Sequence, residues 1–180
     1  MPAQVVIITP SLGDANNGNW QTARRWARLL GGVHRVRLAK TWPDPESAQD
    51  DAMIALHARR SAASIAAWHA ARGSAGLGLV LTGTDLYRDI RSDAVAQRSL
   101  ALAQEIVVLQ ELGMNALPSQ YRPKTRVIFQ STPARRRVAK SAHRLRAGMV
   151  GHLRPEKSPE RLVAAARLLA GRDDILVDHI

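Results

Sequence analysis

The chain has 180 residues, with 26 Lys+Arg against 15 Asp+Glu, a formal net charge of +11 and no cysteine. The lack of cysteine excludes a disulfide framework and any thiolate-ligated metal. A hydrophobic share of 46% supplies a core and excludes wholesale disorder.

The positive charge first suggests a polyanionic partner such as nucleic acid, but it is local. Leu112 to Pro155 holds ten basic residues and no acid, and the rest of the chain is close to neutral. Arg135-Arg136-Arg137 has no interleaved aromatics, which a stacking platform would need. No helix-turn-helix, zinc or RNA-binding signature accompanies it, so nucleic acid is not expected. Met-Pro-Ala-Gln lacks a basic leader region, and no apolar run approaches membrane-spanning length. A cytoplasmic protein without a membrane partner is expected.

In chain order, Val5–Ile8 is a short β-branched run bounded by Thr9-Pro10, which predicts a buried strand. A turn-rich segment follows, with Gly13, Asn16, Asn17, Gly18 and Asn19. Trp20, Ala23, Ala27 and Leu30 then fall on one helical face, with Arg24, Arg25 and Arg28 opposite. Asn19 is the expected N-cap, and Gly31-Gly32 the expected stop. Further strands are predicted at 33–38, 52–56, 77–81, 105–109 and 125–129, with helices at 59–71 and 93–104. This alternation predicts βαβ crossovers and a parallel sheet. Residues 133–146 are basic and aperiodic, and read as a linker. A new strand is predicted at 147–151. A helix then starts with Ser158 as cap and Pro159 in its first turn, and ends at Gly171. A last strand covers 175–177. The expected fold is α/β: one Rossmann-like parallel sheet in 1–132, then the first βαβ unit of a second such domain in 147–180.

In such sheets ligands bind beyond the carboxyl ends of the strands, and four polar segments lie there. The first is Gly13 to Thr22, where glycines allow close approach and a helix start suits an anion. It has no G-x-G-x-x-G, and it reads equally as an Asn-Gly turn with a cap. The second is His57-Ala58-Arg59-Arg60. His57 is either a hydrogen-bonding or acid–base group or a structural strand-end histidine. Arg59 and Arg60 at a helix start oppose the helix dipole, which favours a nearby anion. The third is Thr82-Gly83-Thr84-Asp85, a set of hydroxyls and a carboxylate for an acceptor, or a polar turn closed by Asp85. The fourth is Gly151 to Ser158, in which Arg154 and Lys157 can clamp a diphosphate or belong to a basic surface loop. The four tryptophans, 20, 26, 42 and 68, read as core packing.

Val150-Gly151-His152-Leu153-Arg154-Pro155-Glu156-Lys157, opening the second unit, resembles the V-G-R-L-x-x-x-K-G motif of GT-B glycosyltransferases of the family 4 type. His152 stands where Arg is usual, and Ser158 where Gly is usual. Further blocks are Ile8-Thr9-Pro10, Asp14 to Ala27 (with Asn16-Asn17-Gly18-Asn19-Trp20), Ala55 to Ser61, Leu81 to Ile90, Val127 to Ser131 and Met149 to Lys157. Together they resemble the selenosugar synthases of selenoneine biosynthesis, in which His152 is expected. The likeness runs from residue 4 to about residue 178.

This resemblance implies transfer of a hexosyl group from a UDP-sugar to selenophosphate, followed by loss of phosphate. It implies no metal and no cofactor. Asn17, Gly18, Asn19, Thr22, His57, Arg59, Thr82, Gly83, Thr84 and Asp85 would hold the acceptor. Gly151, Arg154 and Lys157 would hold the diphosphate, with Arg154 and Lys157 as the catalytic pair offsetting leaving-group charge. The family's donor domain carries an acidic motif with two Glu residues. That domain would here end after one βαβ unit, so these 180 residues alone are expected to be inactive. Two other readings stay open: a family 4 glycosyltransferase with a different acceptor, and an anion-binding module that does not catalyse.

Overall fold

The structure is a computed structural model that describes residues 1–180 except 14–16, 135, 138, 152 and 154–156. The chain divides into two compact units, Met1–Thr132 and Pro133–Ile180.

The first unit is a six-stranded, all-parallel, Rossmann-like α/β sheet. Its strands are β1 (Gln4–Ile8), β2 (Arg35–Ala39), β3 (Ala52–Leu56), β4 (Leu77–Leu81), β5 (Glu105–Val108) and β6 (Thr125–Val127), in spatial order β2-β1-β3-β4-β5-β6. Composition explains the order. A strand covered on both faces reads as a continuous apolar run, and in β1 Val6, Ile7 and Ile8 are wholly buried. The edge strands instead carry Arg35 and Arg37 on β2 and Arg126 on β6, and charged edges discourage further strand pairing.

Helices cover the sheet unequally. α2 (Ala62–Arg72) and α4 (Ala94–Leu102) place Ile65, Trp68, Ala96 and Leu100 on one face, against Val6, Ile8, Met53, Leu79 and Ile106. α1 (Gly18–Leu30) lies on the other face, where Ala23, Trp26, Ala27 and Leu30 meet Ile7, Leu56, Val36 and Leu38. Each fully buried Ile or Leu stabilises the fold by roughly 1.5–3 kcal/mol. Beside α2, Trp42 and Trp68 pack with centroids 5.1 Å apart, and the Arg72 guanidinium lies 4.7 Å from the Trp68 ring centre. Asp50, almost fully buried, is held by Arg37 and by Trp42 Nε1 at 3.1 Å. Trp42 and Trp68 are core residues, while Trp20 and Trp26 are half-buried.

Several boundaries differ from expectation. Asn17, not Asn19, caps α1: its Oδ1 accepts the Trp20 N–H at 3.1 Å. α2 starts at Ala62 rather than Arg59, because Ser61 Oγ donates to Leu56 O at 2.6 Å and folds residues 58–61 into a turn. Arg59 and Arg60 therefore precede the helix. The segment after β4 is wound: a π turn, Asp85–Asp89, runs into the short helix α3 (Ile90–Ser92). Between β5 and β6 the chain makes two 3-10 turns, Glu111–Ala116 and Ser119–Lys124.

In the second unit, β7 (Leu145–Met149) and β8 (Ile175–His179) pair in parallel, with α5 (Pro159–Leu168) between them in sequence. β7 begins two residues before the expected strand and takes in Leu145 and Arg146. Pro159 occupies the first turn of α5 as expected. Ser158 is left-handed (φ 50°), and its side chain makes no capping bond. The helix ends before Leu169 rather than at Gly171. Among the described residues of this unit none is buried, as one βαβ unit has too little material to cover its sheet.

Candidate functional site

The strand order contains one reversal. From β1 the chain moves outward to β2, and from β3 it moves the other way. The loops after β1 and β3 therefore leave toward opposite faces and open a crevice at the carboxyl ends of the strands, the usual ligand position in such sheets. Three of the four polar segments meet that edge.

After β1, Thr9 is fully buried and its Oγ1 donates to Ser11 O at 3.1 Å. Asn17 is engaged at both ends of its side chain: Nδ2 donates to Ser11 Oγ at 2.8 Å while Oδ1 caps α1. Asn17 thus shapes the loop and starts the helix. Thr22 is nearly buried. Its Oγ1 donates to Gly18 O and accepts from Gln130 Nε2, both at 2.9 Å. That contact ties the start of α1 to the segment after β6, as does Arg25 Nε donating to Ser131 Oγ at 3.1 Å. Gly18 is exposed and Asn19 half-buried. The first N–H groups of a helix have no intrahelical acceptor, and α1 has no acidic residue in its first turn. Its start is therefore electropositive.

After β3, His57 has a left-handed backbone (φ 76°) and a side chain only 6% exposed. A non-glycine residue there is strained by of order 1–3 kcal/mol. Its Nδ1 accepts the Arg60 N–H at 3.4 Å, which places the ring proton on Nε2. Nε2 faces Asp89 Oδ2 at 4.0 Å, and Nδ1 lies 4.0 Å from Asp85 Oδ2. Burial pushes the imidazole below its ordinary value; Asp85 and Asp89 oppose that shift, and Arg60 and Arg59 add to it.

After β4, Asp85 is fully buried and works on the backbone. Its Oδ1 accepts the N–H groups of Thr82 (2.9 Å) and Gly83 (3.0 Å), and its Oδ2 accepts that of Ala58 (2.9 Å). One carboxylate thereby joins the β3 and β4 loops. Gly83 has φ 132°, a conformation that favours glycine. Thr82, Gly83 and Thr84 are half-buried.

Asp89 was not among the expected site residues. It is 4% exposed. Arg88 Nε donates to its Oδ1 at 3.1 Å, while Oδ2 accepts no hydrogen bond among the described residues. The Arg59 guanidinium (Nε) lies 3.4 Å from that oxygen, and Nη1 is 3.8 Å from Asp93. Asp85 and Asp89 are four residues apart, so a helical reading would have placed them on one face. The turn residues of Thr82 to Asp85 mask that relation in the sequence. Gln130 was likewise missed, because its partner Thr22 is 108 residues away.

In the second unit, Gly151 has φ 136°, and the stem of Lys157 lies over it: a Cβ added there would sit 3.6 Å from Lys157 Cε. Gly151 O accepts from His179 Nε2 at 2.6 Å. Lys157 is exposed. Arg154, and with it His152 and Asn16, lies outside the described residues. Among the described residues, no group of three or more His, Asp or Glu is arranged to hold a metal ion. No helix among them is long and apolar enough to cross a membrane.

Neither a protein-family model nor a curated protein matches the chain.

Proposed function

We propose that the first unit is the acceptor domain of a sugar transferase that moves a hexosyl group from a UDP-sugar to selenophosphate without a metal. The observation that carries the reading is convergence. Segments 17–22, 57–59 and 82–85, far apart in sequence, lie at the carboxyl edge of one sheet; Asp85 joins the last two, and Gln130 ties Thr22 to the segment after β6. An electropositive helix start with no acid in its first turn suits a small tetrahedral anion, and the exposed Arg59 follows β3 at the same end of the sheet. Thr84 and the loop of Gly83 supply polar groups at the same edge. Gly151 and Lys157 would take the donor diphosphate, and Arg154 with Lys157 would offset charge on the leaving group.

Calorimetric titration with selenophosphate, and with phosphate as its stable analogue, tests the acceptor site. Asn19→Asp is the informative variant. A carboxylate in the first turn stabilises the helix but repels an anion. Binding should weaken at least about tenfold, or about 1.4 kcal/mol, with no loss of thermal stability. Undiminished binding would remove the helix start from the site.

A second reading is favoured by one observation. Both ring nitrogens of His57 and both oxygens of Asp85 face other groups of the protein, so their placement suits a rigid binding loop better than proton transfer. An anion-binding module without catalysis predicts selenophosphate binding but no hexosyl transfer even at high protein concentration. A transferase with another acceptor predicts turnover that does not respond to selenophosphate.

A further inference from the structure

Asp89 is a buried carboxylate held firmly at one oxygen. Arg88 Nε donates to Oδ1 at 3.1 Å. The residue is 4% exposed, and its Oδ2 accepts no hydrogen bond among the described residues. A buried ionised oxygen is costly unless a donor or a cation compensates it. Two groups face it. Arg59 Nε lies at 3.4 Å without hydrogen-bond alignment, and His57 Nε2, which carries the ring proton, lies at 4.0 Å. Asp89 Oδ2 is therefore a small shift away from either partner and hydrogen-bonded to neither.

The two partners differ in freedom. The backbone on both sides of Arg59 is pinned: Asp85 Oδ2 accepts the Ala58 N–H at 2.9 Å, and Ser61 Oγ donates to Leu56 O at 2.6 Å. The Arg59 side chain is 46% exposed, and its other ion pair, Nη1 to Asp93 Oδ2, is loose at 3.8 Å. Such a guanidinium can turn to an oxyanion on the solvent side and bind it through paired N–H groups. The His57 ring is only 6% exposed. When Arg59 turns away, the imidazole is the group left beside Asp89 Oδ2.

The charges facing His57 set the direction of the response. Asp85 and Asp89 favour its protonated form, while burial, Arg60 and Arg59 oppose it. Drawing Arg59 to an anion removes one opposing charge, leaves Asp89 uncompensated and adds negative charge nearby. All three changes favour the imidazolium. The Arg60 N–H bond to Nδ1, long at 3.4 Å, is given up, and Nδ1 then faces Asp85 Oδ2 at 4.0 Å. We propose that Asp89 is a positioning residue that couples oxyanion binding to solvent protons: the anion draws Arg59 away, and His57 takes a proton from solvent and donates through Nε2 to Asp89 Oδ2. The proposal rests on the reading of this edge as an oxyanion site and adds its regulation, tighter binding at lower pH.

Sulfate is the probe, because it is tetrahedral and does not titrate near neutrality. Calorimetric titration of the full chain near neutral pH, in two buffers of different ionisation enthalpy, reads the protons taken up. The wild type should take up a fraction of one proton, and its affinity should rise at least about threefold from about pH 7.5 to about pH 6. Sulfate should also bring up a slowly exchanging His57 Nε2–H resonance in NMR spectra of the wild type. Arg59→Gln should weaken sulfate binding at least about tenfold. Asp89→Asn keeps the size of the side chain without its charge, and His57→Asn suits the left-handed backbone. Both should still bind sulfate, with equal heats in the two buffers and no gain in affinity on acidification. Sulfate binding by the wild type without proton uptake or the Nε2–H resonance, binding undiminished in Arg59→Gln, or uptake that persists in Asp89→Asn or His57→Asn would overturn the proposal and leave an oxyanion site in place. Failure of the wild type to bind either sulfate or phosphate would remove the site and the proposal together.

Discussion

At the residue scale, His57 combines a strained backbone with a buried ring between two carboxylates. Its folded-state value is depressed, chiefly by burial. The unfolded chain therefore binds a proton that the folded chain resists, and stability rises with pH through that window. The contribution is full above about pH 6.5, the ordinary histidine value, and is lost as pH falls from there toward the folded value. His57→Asn removes the titration and tolerates a left-handed backbone. Urea unfolding across this range should show a shallower loss of stability on acidification than in the wild type. Asp85 makes a separate prediction. Asp85→Ala leaves three backbone N–H groups without their acceptor. It should cost about 3 kcal/mol or more, read from the urea midpoint, with Asp85→Asn intermediate.

At the element scale, the start of α1 depends on which asparagine is the cap. Asn17→Ala should lower stability by about 1 kcal/mol, whereas Asn17→Asp should be tolerated, since both Asn and Asp accept the capping bond. Substitution of Asn19 by Ala should have little effect on unfolding. Circular dichroism melts distinguish the two positions. Periodicity located α1 in the sequence but not its cap, because three asparagines lie within four residues and only the loop decides which side chain reaches Trp20 N. The strands were legible for a simple reason: β1, β3 and β4 are short apolar runs, and a fully covered parallel sheet demands them. The π turn was not legible. Thr82 to Asp85 is rich in turn residues, and it coils because Asp85 binds Ala58 N on a neighbouring loop, a contact absent from local sequence. Trp68 shows the same dependence on packing. Its indole donates to Ala75 O at 3.0 Å beneath Arg72, and Trp68→Ala should cost about 3–5 kcal/mol.

At the scale of the whole molecule, the two units differ in how much they bury. The first holds a wholly buried core from Val6 to Ile106, and the second, among its described residues, buries none. Exposed Arg136, Arg137, Lys140 and Arg144 lie between Thr132 and β7. Limited trypsin digestion of the full chain should cut there first and leave a stable fragment near residues 1–132, identified by mass. First cleavage inside the sheet of the first unit would contradict that order of stability.

The sequence by itself determined the α/β class, most strand positions and the confinement of the basic charge to one stretch. Those properties follow from local composition and period, which a chain carries wherever it folds. Only the tertiary structure decided that β1 lies between β2 and β3, so that the crevice opens where it does. It also decided that Asn17 and Asp85 bind the backbone, and that Asp89 and Gln130 join the site edge. Each of these is a relation between segments tens of residues apart. Spacing along a chain says which side chains share a face, but not which faces meet.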